Sequence, residues 1–268
     1  MSSGRTSSSP RLLWAPAALA VGLLVLPVVA LVVRADWSSL PSDVSSPAAV
    51  RALTLSLTTS IAATVICLLL GVPLAVLLAR ADGWGADLLR ALVTLPLVLP
   101  PTVGGIALLY LLGRRGLLGE QLDVWFDIRL PFTTAAVVIA QAFVAMPFLV
   151  LGLEGALRTA GTRYEVVAAT LGAGRWTVLR RITLPLVAPG LISGTVLCFA
   201  RALGEFGATA LFAGNTPGVT QTMPLAIYSA FNGSGVSQGT AVALSLLLVA
   251  AAVAVLLAAR AWRPGRAA

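Results

Sequence analysis

Six apolar stretches of the chain run without a single charged side chain: Leu12–Val33 (22 residues), Ala52–Ala79 (28), Ala91–Leu112 (22), Phe132–Leu153 (22), Leu184–Ala200 (17) and Gly239–Ala259 (21). An α-helix rises ~1.5 Å per residue, so about 20 apolar residues cross the ~30 Å hydrocarbon layer of a bilayer. The fifth stretch is short, but it continues apolar past Arg201 to Phe212. Hydrophobic residues make up 58% of the 268 and charged ones 10%. Soluble domains average about 45–50% apolar and about 25% charged, and a globule of this length could not hide the excess. The chain therefore reads as an all-α integral membrane protein with six transmembrane helices. A signal peptide is the other reading of Leu12–Val33, but its length exceeds the usual apolar core of about 7–15 residues, which favours a retained helix.

The residues that are missing exclude whole classes of chemistry. There is no His, and all 18 basic residues are Arg. Without Lys there is no phosphate-binding G-x-x-x-x-G-K-[ST] loop, and without His no Ser-His-Asp triad or H-E-x-x-H zinc helix. The chain is expected not to be an enzyme and to bind no metal or cofactor. Cys67 and Cys198 sit inside apolar runs, TVICLLL and GTVLCFA, and read as small packing residues. The net charge of +8 is spread between apolar runs rather than gathered in a patch. It points to orientation in a membrane and not to nucleic acid.

Arginines are unequally shared between alternate loops. Arg5, Arg11, Arg80, Arg90, Arg158, Arg163, Arg175, Arg180, Arg181, Arg260, Arg263 and Arg266 fall on one side. Arg34, Arg51, Arg114, Arg115, Arg129 and Arg201 fall on the other. The excess of basic residues on cytoplasmic loops then places both termini, and the loop 154–183, in the cytoplasm. The Ser-rich start (1–11) and the tail (261–268) are expected to be disordered.

Small residues and prolines mark where the spans meet. Gly104, Gly105 and the pair Gly190/Gly194 permit close helix approach, within one subunit or between two. Pro96, Pro100 and Pro101 interrupt the third span, which is either kinked or broken beside other helices or a cavity.

The cytoplasmic loop Glu154–Gly194 carries the most specific pattern. Thr162–Leu171 has helical character and stops at Gly172 and Gly174. Val166, Ala169 and Ala173 share one side of it, followed by basic Arg175–Arg181 and a Pro-marked re-entry at Leu184-Pro185. The residues alone leave two roles open, an amphipathic connector on the headgroups or a plug docked into a cytoplasmic partner.

Here the stretch resembles the EAA loop of permease subunits of bacterial ABC importers, in which E-A-A, three residues, Gly and nine residues precede I-x-L-P. Ala168, Ala169, Gly172, Ile182, Leu184 and Pro185 reproduce it; strict spacing would place Glu at 166, where this chain has Val166 with Glu165 one place earlier. The resemblance implies a type I ABC importer permease fold, residues 51–260 forming the transmembrane domain and 154–185 the coupling loop. That loop fits a groove on a separate ATP-hydrolysing subunit, so ATP and Mg belong to the partner. Ala200–Ala230 (ARALGEFGATALFAGNTPGVTQTMPLAIYSA) and Leu95–Leu109 are similar to the same regions of molybdate permeases. Sulfate and thiosulfate permeases share only the R-A-x-G-E-[FY]-G core, and tungstate is nearly isosteric with molybdate.

Arg201 and Glu205 stand four residues apart in this region. Charges inside a membrane are expensive and face a partner or a watery cavity. Either the pair neutralises itself and fixes packing, or Arg201 biases a translocation path toward an oxyanion, or the pair forms part of a gate. Gly204, Gly207, Thr209, Asn215, Thr220, Gln221 and Thr222 offer a neutral lining of weak donors, as conduction requires. The resemblance further implies a homodimer of permeases, a pair of cytoplasmic ATPase subunits, an extracytoplasmic molybdate-binding protein and a bacterial cell membrane. A non-conducting membrane scaffold is the alternative from another class.

Overall fold

A computed structural model describes residues 11–233 and 238–261. The Ser-rich residues 1–10 and the tail 262–268, with Arg5, Arg263 and Arg266, lie outside the described residues. Among those described, every regular element is helical: α1 (Trp14–Val33), α2 (Leu40–Val44), α3 (Pro47–Arg80), α4 (Trp84–Val98), α5 (Pro101–Leu112), α6 (Gly119–Phe126), α7 (Thr134–Ala160), α8 (Arg163–Thr170), α9 (Arg175–Val178), α10 (Leu184–Leu186), α11 (Ala188–Leu203), α12 (Gly207–Phe212), α13 (Met223–Phe231) and α14 (Gln238–Ala261). Helices α1, α3, α7 and α14 are each long and apolar enough to cross a membrane, and two bent pairs bring the spans to as many as six.

Those two pairs correct the expected straight spans. The third is broken: α4 and α5 meet at 114°. The break falls at Leu99 and Pro100, both extended, because Pro100 and Pro101 deny the backbone two amide donors and push the residue before each away from helical angles. The fifth bends by 72° between α10 and α11. A π-helical segment, Leu179–Thr183, leads into that bend. Apolar chain does continue past Arg201, but α11 ends at Leu203 and α12 is a separate short helix. Conversely, α7 does not stop at Glu154 but runs on to Ala160.

The core is three helices deep and built from small side chains. Ala63 and Cys67 on α3, Ala142, Ala145 and Leu149 on α7, and Cys198 and Ala202 on α11 form its centre. Both cysteines are free and buried there. Toward the end that carries α8, Ala75, Leu78, Val150, Leu153, Leu157 and Val187 continue the packing. Toward the far end, Leu108 of α5 and Ala208 and Phe212 of α12 close over Ala136, Val137 and Ala140 of α7. Many other large apolar side chains point outward, with Leu69 68%, Leu70 59% and Leu77 67% exposed on α3. A soluble protein rarely exposes so large a contiguous apolar surface, but lipid tails cover it without cost. Helix α1 has no buried residue at all.

Glycines set the closest approaches. The Gly190/Gly194 pair packs within the protomer: Gly194 lies on Gly152 and Leu149 of α7, and a Cβ at Gly190 would collide with Ala156. On α5, a Cβ at Gly105 would stand 2.8 Å from the Ala208 carbonyl oxygen. Overpacking such contacts costs about 1–3 kcal/mol. Gly190→Val is therefore expected to lower the thermal unfolding temperature in detergent, whereas Gly155→Ala, with nothing within 4 Å of its Cβ position, should leave it unchanged.

Candidate functional site

Helix α8 is eight residues long and carries its one acidic residue, Glu165, in the first turn, where the helix dipole favours a carboxylate. Thr162, at the N-cap, makes no capping hydrogen bond. Glu165 does not cap either; it reaches back to the bundle. Arg80, the last residue of α3, donates through Nη2 to both carboxylate oxygens at 3.0 Å. The Thr183 hydroxyl donates to Oε1 at 2.6 Å. Thr183 closes the π-helical segment, a form that often marks functional sites.

The remaining side chains of α8 divide by face. Ala168 is buried toward the bundle, while Tyr164, Val166, Val167 and Ala169 are exposed. Leu171, just beyond, is 83% exposed and Trp176 67%. Gly172 ends the helix with φ +84°, a left-handed conformation that favours glycine. Its amide donates to Ala169 O and that of Ala173 to Ala168 O, which satisfies carbonyls that a helix end would leave bare. Ile182 and Leu184 are half-buried and Pro185 is exposed at the re-entry.

Beside this loop lies a charged cluster that the sequence reading used only for orientation. Arg90 of α4 donates to Glu154 Oε1 at 2.7 Å and to Asp87 Oδ1 at 2.7 Å. Its Nη2 also donates to the Leu78 and Ala81 carbonyls, at 2.8 and 2.7 Å. Arg158 of α7 reaches the same Glu154 oxygen at 3.1 Å. The Glu154 side chain is 7% exposed, so its charge depends on these partners. One signal was available in the sequence: Glu154 and Arg158 stand at i, i+4 at the end of an apolar run.

At the far end, Arg201 Nη2 pairs with Glu205 Oε2 at 2.7 Å. The two are not on one continuous helix, as their spacing suggested, because α11 ends at Leu203. Glu205 bridges the gap instead, its Oε1 accepting the Ala208 amide of α12 at 2.8 Å. Glu205 is 1% exposed and the Arg201 side chain 26%.

The expected neutral lining is only partly on a surface. Thr209, Thr220 and Thr222 are fully buried. Gly207 packs on Pro101, and Thr220 accepts the Thr216 amide at 2.9 Å. Gly204 and Asn215 are exposed and Gln221 half-buried, with Asn215 donating to the Ser229 hydroxyl at 2.7 Å. Of the polar residues expected along the path, then, Arg201, Gln221 and Asn215 reach the surface of the protomer, and the buried threonines lie inside it. On the loop after α6, the Asp123 hydrogen bond raises the Arg129 pKa above its ordinary value. Among the described residues no group of His, Cys, Asp and Glu is placed to hold a metal.

Comparison with known proteins decides the family. Residues 71–264 match the family described as binding-protein-dependent transport system inner membrane component. The chain belongs to that family. It is a multi-pass membrane transport component rather than an enzyme. It is 52% identical over 255 residues to the molybdenum transport system permease protein ModB of Mycobacterium tuberculosis, covering 95% of each chain. It is 46% identical over 191 residues to the protein of the same name in Escherichia coli K12, covering 71% of this chain and 83% of that one. Among solved structures it is similar to a bacterial alginate ABC transporter in complex with a pentasaccharide-bound periplasmic protein. The TM-score is 0.70 at 16% identity, over 92% of each chain, so the likeness is one of fold, that of the type I importer permeases.

The charged cluster generates a stability order. Removing one partner of a buried ion pair typically costs about 3–5 kcal/mol, and a half-exposed partner about 0–1. Arg90 makes four hydrogen bonds in the cluster and Arg158 two, so Arg90→Ala is expected to destabilise the protein more than Arg158→Ala. Unfolding in detergent, followed by helical circular dichroism, checks the order.

Proposed function

We propose that this chain is the membrane-spanning permease subunit of an ATP-driven importer that moves molybdate into the cytoplasm by alternating access. The observation that carries the substrate is the 52% identity to a molybdenum permease across 95% of both chains. The reading includes a second permease copy, two cytoplasmic ATPase subunits and an extracytoplasmic molybdate-binding protein. Both termini and α8 face the cytoplasm, in keeping with the arginine excess.

The geometry supports this division of labour. Helix α8 offers an apolar outer face of Val166, Val167, Ala169 and Leu171 to a groove on the ATPase, while Glu165 ties its other side to the bundle. ATP binding closes the motor dimer, the docked loops move, and the two permease halves open outward; hydrolysis returns them. Arg201 supplies a positive charge beside the path. With Glu205 at 2.7 Å its field is largely cancelled, which suits weak, transient contact with an oxyanion better than tight binding.

The deciding experiment is ATP-dependent uptake of labelled molybdate by the reconstituted complex, with sulfate in excess. Undiminished uptake supports molybdate, and tungstate is then the next competitor. Full competition, or better transport of sulfate, overturns the molybdate assignment and leaves an oxyanion importer of the sulfate type. Arg201→Ala is expected to lower uptake about tenfold, the factor that 1.4 kcal/mol gives, with ATPase binding unchanged. Ala169→Asp and Gly172→Leu should abolish copurification of the ATPase subunits; normal copurification and uptake in both would refute the docking role of α8.

A further inference from the structure

Helix α8 is joined to its neighbours covalently through glycine. Gly161 precedes it at φ +64° with nothing within 4 Å of its Cβ position, and Gly172 and Gly174 follow it. Such joints bend rather than push. The stiff connection is the Glu165 carboxylate, which takes Arg80 on two oxygens and Thr183 on one of them. Displacement of α8 therefore acts on the last residue of α3 and on the segment that enters α11.

The end of α3 cannot move alone. The carbonyls of Leu78 and Ala81, on either side of Arg80, are both held by Arg90 of α4. Leu78 O is also reached by Arg158 of α7 at 3.4 Å. From Arg80, α3 continues as one helix to Ser56, 24 residues or about 36 Å away at 1.5 Å per residue, with Pro73 on the way withholding one amide from the ladder. There the Ser56 hydroxyl accepts the Met223 amide at 2.6 Å, in a fully buried contact. Met223 is the first residue of α13 and packs on Ala49 and Ala52 of α3. Helix α13 in turn meets the segment after Arg201–Glu205, where the Phe206 and Tyr228 rings lie 5.0 Å apart.

We propose that α3 is the rod that carries motion of the coupling helix to the far end of the bundle, with Glu165, Arg80 and Thr183 as positioning residues at one end and Ser56 at the other. This rests on the docking role of α8 given above. The Arg80–Glu165 pair suits such a part. Arg80 is 49% exposed, and pairs of that exposure add little to stability. Breaking it frees the loop without unfolding the protein. The competing route is α7, whose Thr134 hydroxyl donates to Val219 O at 2.9 Å at the far end.

The test uses the full complex in liposomes with its binding protein, and reads the ATP hydrolysed per molybdate imported beside the ATPase subunits retained on purification. Arg80→Glu and Glu165→Arg, each alone, are expected to keep the ATPase subunits and to raise the ratio fivefold or more, the low end of typical coupling energies. The double variant R80E/E165R restores the pair with its polarity reversed, and should return the ratio to within about twofold of the unsubstituted complex. Ser56→Ala should raise the ratio with the Arg80–Glu165 pair intact. A normal ratio in both single variants, or a double variant no better than they are, overturns the rod. So does a normal ratio in Ser56→Ala, which would leave α7 as the route. Should Ser56→Ala fail to assemble, the swapped pair still decides. If the unsubstituted chain does not retain the ATPase subunits at all, the docking reading fails and the rod with it; failure of the variants alone leaves docking intact.

Discussion

Hydrocarbon offers the backbone no hydrogen-bond partner, so every amide and carbonyl within a membrane must be satisfied by the protein itself. Helices α3 and α7 meet that demand along most of their length, each with one proline, Pro73 and Pro147, that withholds an amide. The informative places are the interruptions, where side chains stand in for missing helical partners. Glu205 takes the Ala208 amide where α11 gives way to α12. Thr220 takes the amide of Thr216 in the loop that follows. Ser56 takes that of Met223 where α13 begins. Buried polar residues that look like candidates for a hydrophilic pore are, in these three places, repairs to broken backbone.

The same solvent removes the usual reason for helices to associate, because lipid tails are as apolar as leucine. What remains is close approach. The buried faces of α3, α7 and α11 are accordingly rich in alanine, glycine and cysteine beside a few leucines, while other leucines, Leu69, Leu70 and Leu77 among them, face outward. Polar contacts then add specificity at the ends: the Arg90–Glu154–Arg158 cluster at one and Arg201–Glu205 at the other.

Much of this was legible in the chain. Charge-free length revealed the spans, and the spacing from Ala168 to Pro185 singled out the loop that the proposed function assigns to coupling. The offset of Glu165 from the expected 166 has a clear geometric meaning. One residue turns a side chain about 100° around a helix, so Glu165 faces the bundle while Val166 leaves the outward face apolar. Other features were not legible. Three prolines announce an interruption, but its 114° angle depends on what α4 and α5 pack against. A threonine turned inward carries the same letter as one lining a path, and so Thr209 and Thr222 were misplaced. Arg90 and Glu154 lie 64 residues apart, and no local pattern joins them.

The grip of Arg90 on the end of α3 has a consequence for the absence of lysine. Its guanidinium serves four acceptors on three helices and a turn: Glu154, Asp87 and the carbonyls of Leu78 and Ala81. Lysine presents three donors from one atom, whereas the flat fork of arginine spreads five over three nitrogens. An ammonium group at position 90 would leave at least one of those acceptors without this partner. The exchange between the two basic residues, harmless at most surface positions, is closed to this one by the number and spread of the atoms it must reach.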